Sequence, residues 1–150
     1  MNALKARAIE AVVQSDPSLL QALRGLVRAY ARSRGFNANT VDNIVLAVDE
    51  ACANSIRHAY SGCVNHALRL CLGEEDDSIV IEVSDEGRPA PREKFEKRLT
   101  EPPADSQDVK PGGLGIPLMH EIFDSVEFDC GETQGNRVRL RLRRPDTGSG

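Results

Sequence analysis

Leu46-Ala47-Val48-Asp49-Glu50-Ala51-Cys52-Ala53-Asn54-Ser55-Ile56-Arg57-His58-Ala59-Tyr60 belongs to the most helical part of this 150-residue chain, which runs from Val41 to about Tyr60. Val41, Ile44, Val45, Val48 and Cys52 recur three and four apart, an apolar stripe that should pack on a sheet. Asn39-Thr40 is the expected opening of this helix and Ser61-Gly62 its close. A spacing of four places Glu50 and Asn54 on one face, one turn apart. A carboxylate there can act as a general base or hold a water, and an amide oxygen is a hard ligand suited to Mg2+. The same pair is also what a solvated helix face carries, so the pair alone does not choose.

Upstream, residues 8–14 read as a short strand. Ser15-Asp16-Pro17 supplies a capping side chain before a proline, and Leu19, Leu20, Leu23, Leu26, Val27 and Tyr30 recur at helical spacing to about Ser33, with Gly35 ending that helix. Downstream come two strands, residues 66–72 and 78–84, joined through the polar turn Gly73-Glu74-Glu75-Asp76-Asp77. The second strand is nearly all apolar (Ile79, Val80, Ile81, Val83), as expected of a strand covered on both faces. Residues 88–111 then change character: Pro89, Pro91, Pro102, Pro103 and Pro111 sit among many charges, with a short helix expected at 92–99. A loop of this length inside one domain is usually functional or disordered. Order resumes with Gly112-Gly113-Leu114-Gly115 and a helix through about Phe123. Two antiparallel strands follow, one with Val126, Phe128 and Cys130 alternating, the other with Val138, Leu140 and Leu142 alternating with Arg137, Arg139, Arg141 and Arg143. The fold class is α/β: a two-layer sandwich in which a mixed, largely antiparallel sheet carries helices on one face. One domain is expected over residues 1–145, with 146–150 a loose tail.

Apolar residues make up 40% and charged residues 28% of the chain, the balance of an ordinary globular domain. No apolar run is long enough to span a bilayer, and the opening residues lack the apolar core of a secretory signal, so a cytoplasmic location and no membrane partner are expected. A net charge of -4 and the absence of Trp argue against a nucleic-acid partner. Cys52, Cys63, Cys71 and Cys130 form no CxxC pair, and read as reduced, mostly buried small residues rather than as zinc ligands.

Two further pieces carry chemistry. Asp85-Glu86-Gly87 follows the most apolar strand, where a carboxylate can accept a hydrogen bond from the exocyclic amine of a base while glycine lets the backbone turn away; a plain strand ending would read the same. Gly112-Gly113-Leu114-Gly115 opens a helix, and free N–H groups at a helix N-terminus favour phosphate, although a flexible hinge has the same composition. Neither a βαβ dinucleotide fingerprint nor a Gly-Lys-Ser/Thr phosphate loop is present.

Taken in order, the three pieces resemble the Bergerat ATP-binding fold of the GHKL superfamily, which includes gyrase, the heat-shock chaperone, histidine kinases and mismatch-repair ATPases. Glu50 and Asn54 resemble its N box, Asp85-x-Gly87 its first glycine box and Gly113-x-Gly115 its second, with residues 88–111 as an ATP lid. Within the superfamily, residues 46–60 are similar to the "LAVxEAxxNxxxHAY" stretch of the anti-sigma-factor serine kinases, and residues 112–119 to their "GGLG" and following helix. The resemblance covers about residues 8–143. One departure is Arg88-Pro89, which stands where the first glycine box usually has a second glycine; contact through Asp85 is expected to survive while the turn beyond it differs.

The resemblance implies a serine/threonine kinase that moves the γ-phosphoryl group of Mg-ATP to a small STAS-domain antagonist of an anti-sigma factor. Such proteins commonly bind a sigma factor as homodimers and switch partners with the antagonist's phosphorylation. Asp85 would select adenine, Asn54 would hold Mg2+, the Gly87 turn and the Gly113-Leu114-Gly115 backbone with Lys110 would border the nucleotide, and Glu50 would accept the proton of the attacking hydroxyl. An ATP-holding anti-sigma or scaffold module that transfers nothing, and a sensor-kinase ATPase domain acting in trans, are the competing readings. His58, one turn beyond Asn54, is either structural near the helix end or a contact to phosphate or a metal-bound water; the arginine row is expected to be an exposed face.

Overall fold

The computed structural model describes residues 6–88, 115–131 and 135–146. The expected lid beyond Arg88, its short helix at 92–99, Lys110, Gly112, Gly113, Leu114 and most of the tail lie outside the described residues. Strand β1 (Ala6–Gln14) leads through a short 3-10 turn (Pro17–Leu19) into α1 (Leu20–Ser33) and then α2 (Ala38–Asn54). A π-helical turn (Ser55–Ala59) extends α2, and β2 (Ala67–Glu75), β3 (Ser78–Asp85), α3 (Gly115–Ile122), β4 (Ser125–Cys130) and β5 (Asn136–Arg143) complete the order. The five strands form one sheet in the order β1-β2-β3-β5-β4. Each of the four pairings is antiparallel, so the largely antiparallel sheet read from the sequence has no parallel pair among the described residues.

Local chemistry sets the helix ends. Asp16 accepts from the Ser18 amide at 2.9 Å just before Pro17, as the sequence suggested. The cap of α2 is not Asn39-Thr40: it is Asn37, whose Oδ1 accepts from the Thr40 amide at 2.8 Å, because the cap carbonyl must reach the third residue onward. Val41, Ile44, Val45, Val48 and Cys52 are all buried, and with Leu20, Leu23, Val27 and Tyr30 of α1 they cover Leu68, Leu70 and Leu72 of β2, Ile79, Ile81 and Val83 of β3, and Val138 and Leu140 of β5. Every strand residue in this core comes from one face of the sheet, which is the two-layer arrangement.

The opposite face of β3 carries Ser78, Val80, Glu82 and Ser84, paired in register with Arg143, Arg141, Arg139 and Arg137. The strand is covered on both faces, as its apolar run implied, but only one of the two covers is helical. Long side chains cover its outer face instead: Arg139 and Arg141 pair with Glu75, Arg137 with Asp129 at 3.1 Å and Arg143 with Asp77 at 3.0 Å. Apart from exposed Arg143, the arginine row is half-buried rather than fully exposed. The β2–β3 turn is tighter than the sequence suggested. Glu75 pairs with Ser78, so only Asp76 and Asp77 make the turn, with Asp76 in the left-handed region at φ 56 that aspartate tolerates. No disulfide joins the four cysteines, and only Cys52 is buried; Cys63 is exposed and the other two are half-buried. No helix among the described residues is long and apolar enough to cross a membrane.

Candidate active site

The C-terminal end of α2 presents Glu50 and Asn54 half-buried on one face, because the apolar stripe turns the other face into the core. One guanidinium nitrogen joins them. Arg57 Nη2 donates to Asn54 Oδ1 at 2.8 Å and to Glu50 Oε1 at 3.1 Å. Arg57 was not singled out in the sequence, although its spacing of three from Asn54 and seven from Glu50 puts it on their face; arginine on a helix surface is too ordinary to read alone. Among the described residues no group of three or more His, Cys, Asp and Glu side chains converges to hold a metal by itself.

Beyond Asn54 the helix widens. The Tyr60 amide donates to the Ser55 carbonyl at 3.2 Å, five residues back, and Ser61 (φ 50) and Gly62 (φ 80) then reverse the chain. His58 lies exposed on this turn. Tyr60 points back into the protein, donating its phenol to the Ala67 carbonyl at 2.6 Å and accepting from the Glu86 amide at 2.7 Å. Its ring stacks on His66 with centroids 4.6 Å apart. Burial pushes the Tyr60 phenol up and the bond from the Glu86 amide pulls it back; Asp85 and Glu86 add to the rise, which wins.

The Asp85 turn is held from three directions. Asp85 is buried at the end of β3, and its Oδ1 accepts from the Gly87 amide at 3.0 Å and from Asn136 Nδ2 at 2.9 Å. No described residue bonds its Oδ2. Asn136 also donates to the Arg88 carbonyl at 2.8 Å, the Gly135 amide donates to the Gly87 carbonyl at 2.7 Å, and the Arg88 amide donates to the Ala59 carbonyl at 3.0 Å. Arg88, standing in place of a second glycine, is thus fixed through its backbone on both sides. Gly87 is needed for closeness and not for a left-handed turn: a methyl built there would lie 2.7 Å from the Ala59 carbonyl carbon and closer still to its oxygen.

The structure therefore gathers the end of α2, the end of β3 and the start of β5 into one constellation. It links Glu50 with Asn54 through Arg57, and Asp85 with Gly87 through their own turn. Gly115 is the first residue of α3, with Pro117 in its first turn; Lys110, Gly113 and Leu114 are outside the described residues. Arg57, Ala59, Tyr60 and Asn136 are the participants the sequence reading left without a role. For Asn136 the only signal was a Gly-Asn pair opening a strand.

Comparison with known proteins bears on the family and the fold. Residues 13–142 match the histidine kinase-like ATPase domain family. The chain is 32% identical over 124 residues to serine-protein kinase RsbW of Halalkalibacterium halodurans, covering 80% of this chain and 74% of that protein. It is 25% identical over 120 residues to the anti-sigma F factor of Clostridium acetobutylicum, covering 80% and 82%. The fold is similar to part of the crystal structure of the RsbU and RsbW domains of a Mycobacterium tuberculosis protein, with a TM-score of 0.64 at 14% identity over 93% of this chain and a third (33%) of that one. The chain belongs to the histidine kinase-like ATPase domain family and, within it, to the anti-sigma-factor serine kinases.

Proposed function

We propose that this chain is an ATP-dependent serine/threonine kinase and anti-sigma regulator, phosphorylating a STAS-domain antagonist in a partner-switching system. One observation carries the reading: a carboxylate oxygen of Glu50 and the amide oxygen of Asn54 converge on a single nitrogen, at 3.1 and 2.8 Å. A base and a hard oxygen ligand meet at one point, and a cationic group already sits there. That donor set suits Mg2+, which takes one or two protein oxygens and completes its shell from phosphates and water. Bound there through Asn54, Mg2+ would neutralise charge on the phosphates.

In this reading Asp85 accepts the adenine amine on Oδ2 while Gly87 and Asn136 hold its other oxygen. The rigid turn fixes the base, and the backbone around Gly113, Leu114 and Gly115 with Lys110 borders the phosphates. The hydroxyl oxygen of the acceptor serine bonds to the γ-phosphorus as the bond to the β–γ bridging oxygen breaks, Glu50 takes the hydroxyl proton, and ADP leaves. The chain acts as one cytoplasmic domain over residues 1–145, as a homodimer, with the sigma factor as its other partner.

The test is transfer of labelled γ-phosphate from Mg-ATP to the small STAS-domain proteins of the same genome. Acid-stable label on one of them, lost with Asn54→Ala, is the expected result. No label despite measurable ATP binding would overturn the kinase reading in favour of a nucleotide-holding anti-sigma module.

A further inference from the structure

Arg57 occupies the two oxygens on which the proposed chemistry depends. Its Nη2 lies 2.8 Å from Asn54 Oδ1, the atom that would ligate Mg2+, and 3.1 Å from Glu50 Oε1, the atom that would take the proton. A magnesium ion on that amide oxygen sits about 2.1 Å from it, which would leave two cations within roughly 5 Å of each other on one shared ligand. The guanidinium is permanently charged. It has to move.

The structure gives it the means. Arg57 lies in the π-helical turn Ser55–Ala59, where the backbone is wider than the α-helix that positions Glu50 and Asn54. Its side chain is 36% exposed, so solvent lies to one side. Its Nε is buried and no described residue accepts from it, so the guanidinium is incompletely satisfied where it rests. A buried donor left without a partner works against the two bonds that Nη2 makes, and keeps the arrangement reversible.

We propose that Arg57 is a cationic latch on the active site, competing with Mg2+ for the amide oxygen of Asn54 and releasing Glu50 when it is displaced. Arg57 is here a positioning residue that acts through Asn54 and Glu50. Metal loading and release of the base become one event, so that Glu50 stays occupied until the metal site fills. The proposal rests on the assignment of Asn54 as the metal ligand.

The test compares ATP affinity in Mg2+ with ATP affinity in EDTA, for wild type, Arg57→Met and Arg57→Lys. The ratio of the two affinities reports how strongly the metal couples to the nucleotide. Removing a competing cation should raise that ratio in Arg57→Met by about fivefold or more, the lower end of usual coupling between sites. Arg57→Lys, still charged, should stay near the wild-type ratio. Arg57→Gln repeats the neutral arm if the methionine protein does not fold. An unchanged or smaller ratio in the neutral variants would overturn the latch, including the case where they lose ATP equally with and without metal. Wild type that binds ATP but phosphorylates nothing would remove the kinase reading while the ratio still reads the latch. Wild type that binds no ATP would remove both.

Discussion

Gly87 and Ala59 meet backbone to backbone: the Arg88 amide donates to the Ala59 carbonyl at 3.0 Å, and there is no space at Gly87 for a side chain. This contact joins the end of the helix bearing Glu50 and Asn54 to the turn bearing Asp85. Both sides are main chain, so neither can rotate aside. Gly87→Ala should therefore cost about 3 kcal/mol, the upper end of overpacking, and lower the melting temperature by about 6–12 °C. ATP affinity should fall with it. A variant that melts and binds like wild type would show that the contact is not needed.

Asp85→Asn separates architecture from recognition. The remaining amide oxygen can still accept from Gly87 and Asn136, while the position that would face the base becomes a donor. Stability should hardly change. ATP binding should weaken by roughly 5- to 150-fold, the equivalent of about 1–3 kcal/mol for an unmatched polar group. Calorimetric titration beside a thermal melt reads both quantities, and an equal loss of stability and affinity would argue that Asp85 is purely structural.

For Glu50→Gln, the new side chain keeps an oxygen for Arg57 but accepts no proton. Phosphotransfer should drop by about 100-fold or more. ATP affinity should stay within about threefold, since the loss falls on the chemical step. Transfer at the wild-type rate would take Glu50 out of the mechanism.

Glu74 provides a pH signature away from the site. Its buried carboxylate meets Arg7 and Arg34, both at 3.1 Å, and Arg144 at 3.5 Å, tying β2 to β1, α1 and the end of β5. Burial pushes it up, but the bonds and charges of Arg34, Arg144 and Arg7 win and hold it below its ordinary value of 4.5. A carboxylate whose value is lower folded than unfolded contributes stability that is complete above pH 4.5 and lost as pH falls through the folded value. Glu74→Gln should thus cost about 2 kcal/mol in urea unfolding at neutral pH, and the gap from wild type should shrink as pH falls below 4.5. A gap independent of pH would show that packing, not charge, is what Glu74 supplies.

Much of this protein was legible before folding. The stripe from Val41 to Cys52 announced which side of α2 is buried, and by elimination which side shows Glu50 and Asn54. The alternation in residues 138–142 gave the inward face of β5. Where local reading failed, the competing influence was tertiary. Gly73, Glu74 and Glu75 look like turn residues, yet they pair with Val80, Ile79 and Ser78, because the three arginines around Glu74 make burial of that carboxylate possible. Asn39-Thr40 resembled a helix start only because Asn37, the true cap, lies two residues earlier with the same chemistry.

What the sequence by itself determined was the set of elements and the residue types at their ends, since periods of 3.6 and 2 and capping side chains act over a few neighbours. Only the tertiary structure decided that Asn136 holds Asp85 across 51 residues, that Gly87 lies against Ala59, and that Tyr60 receives the Glu86 amide. These contacts depend on β5 lying beside β3 and on the end of α2 crossing the end of that pair. Strand order and register are set by burying the whole core at once, and no short stretch of chain contains that information.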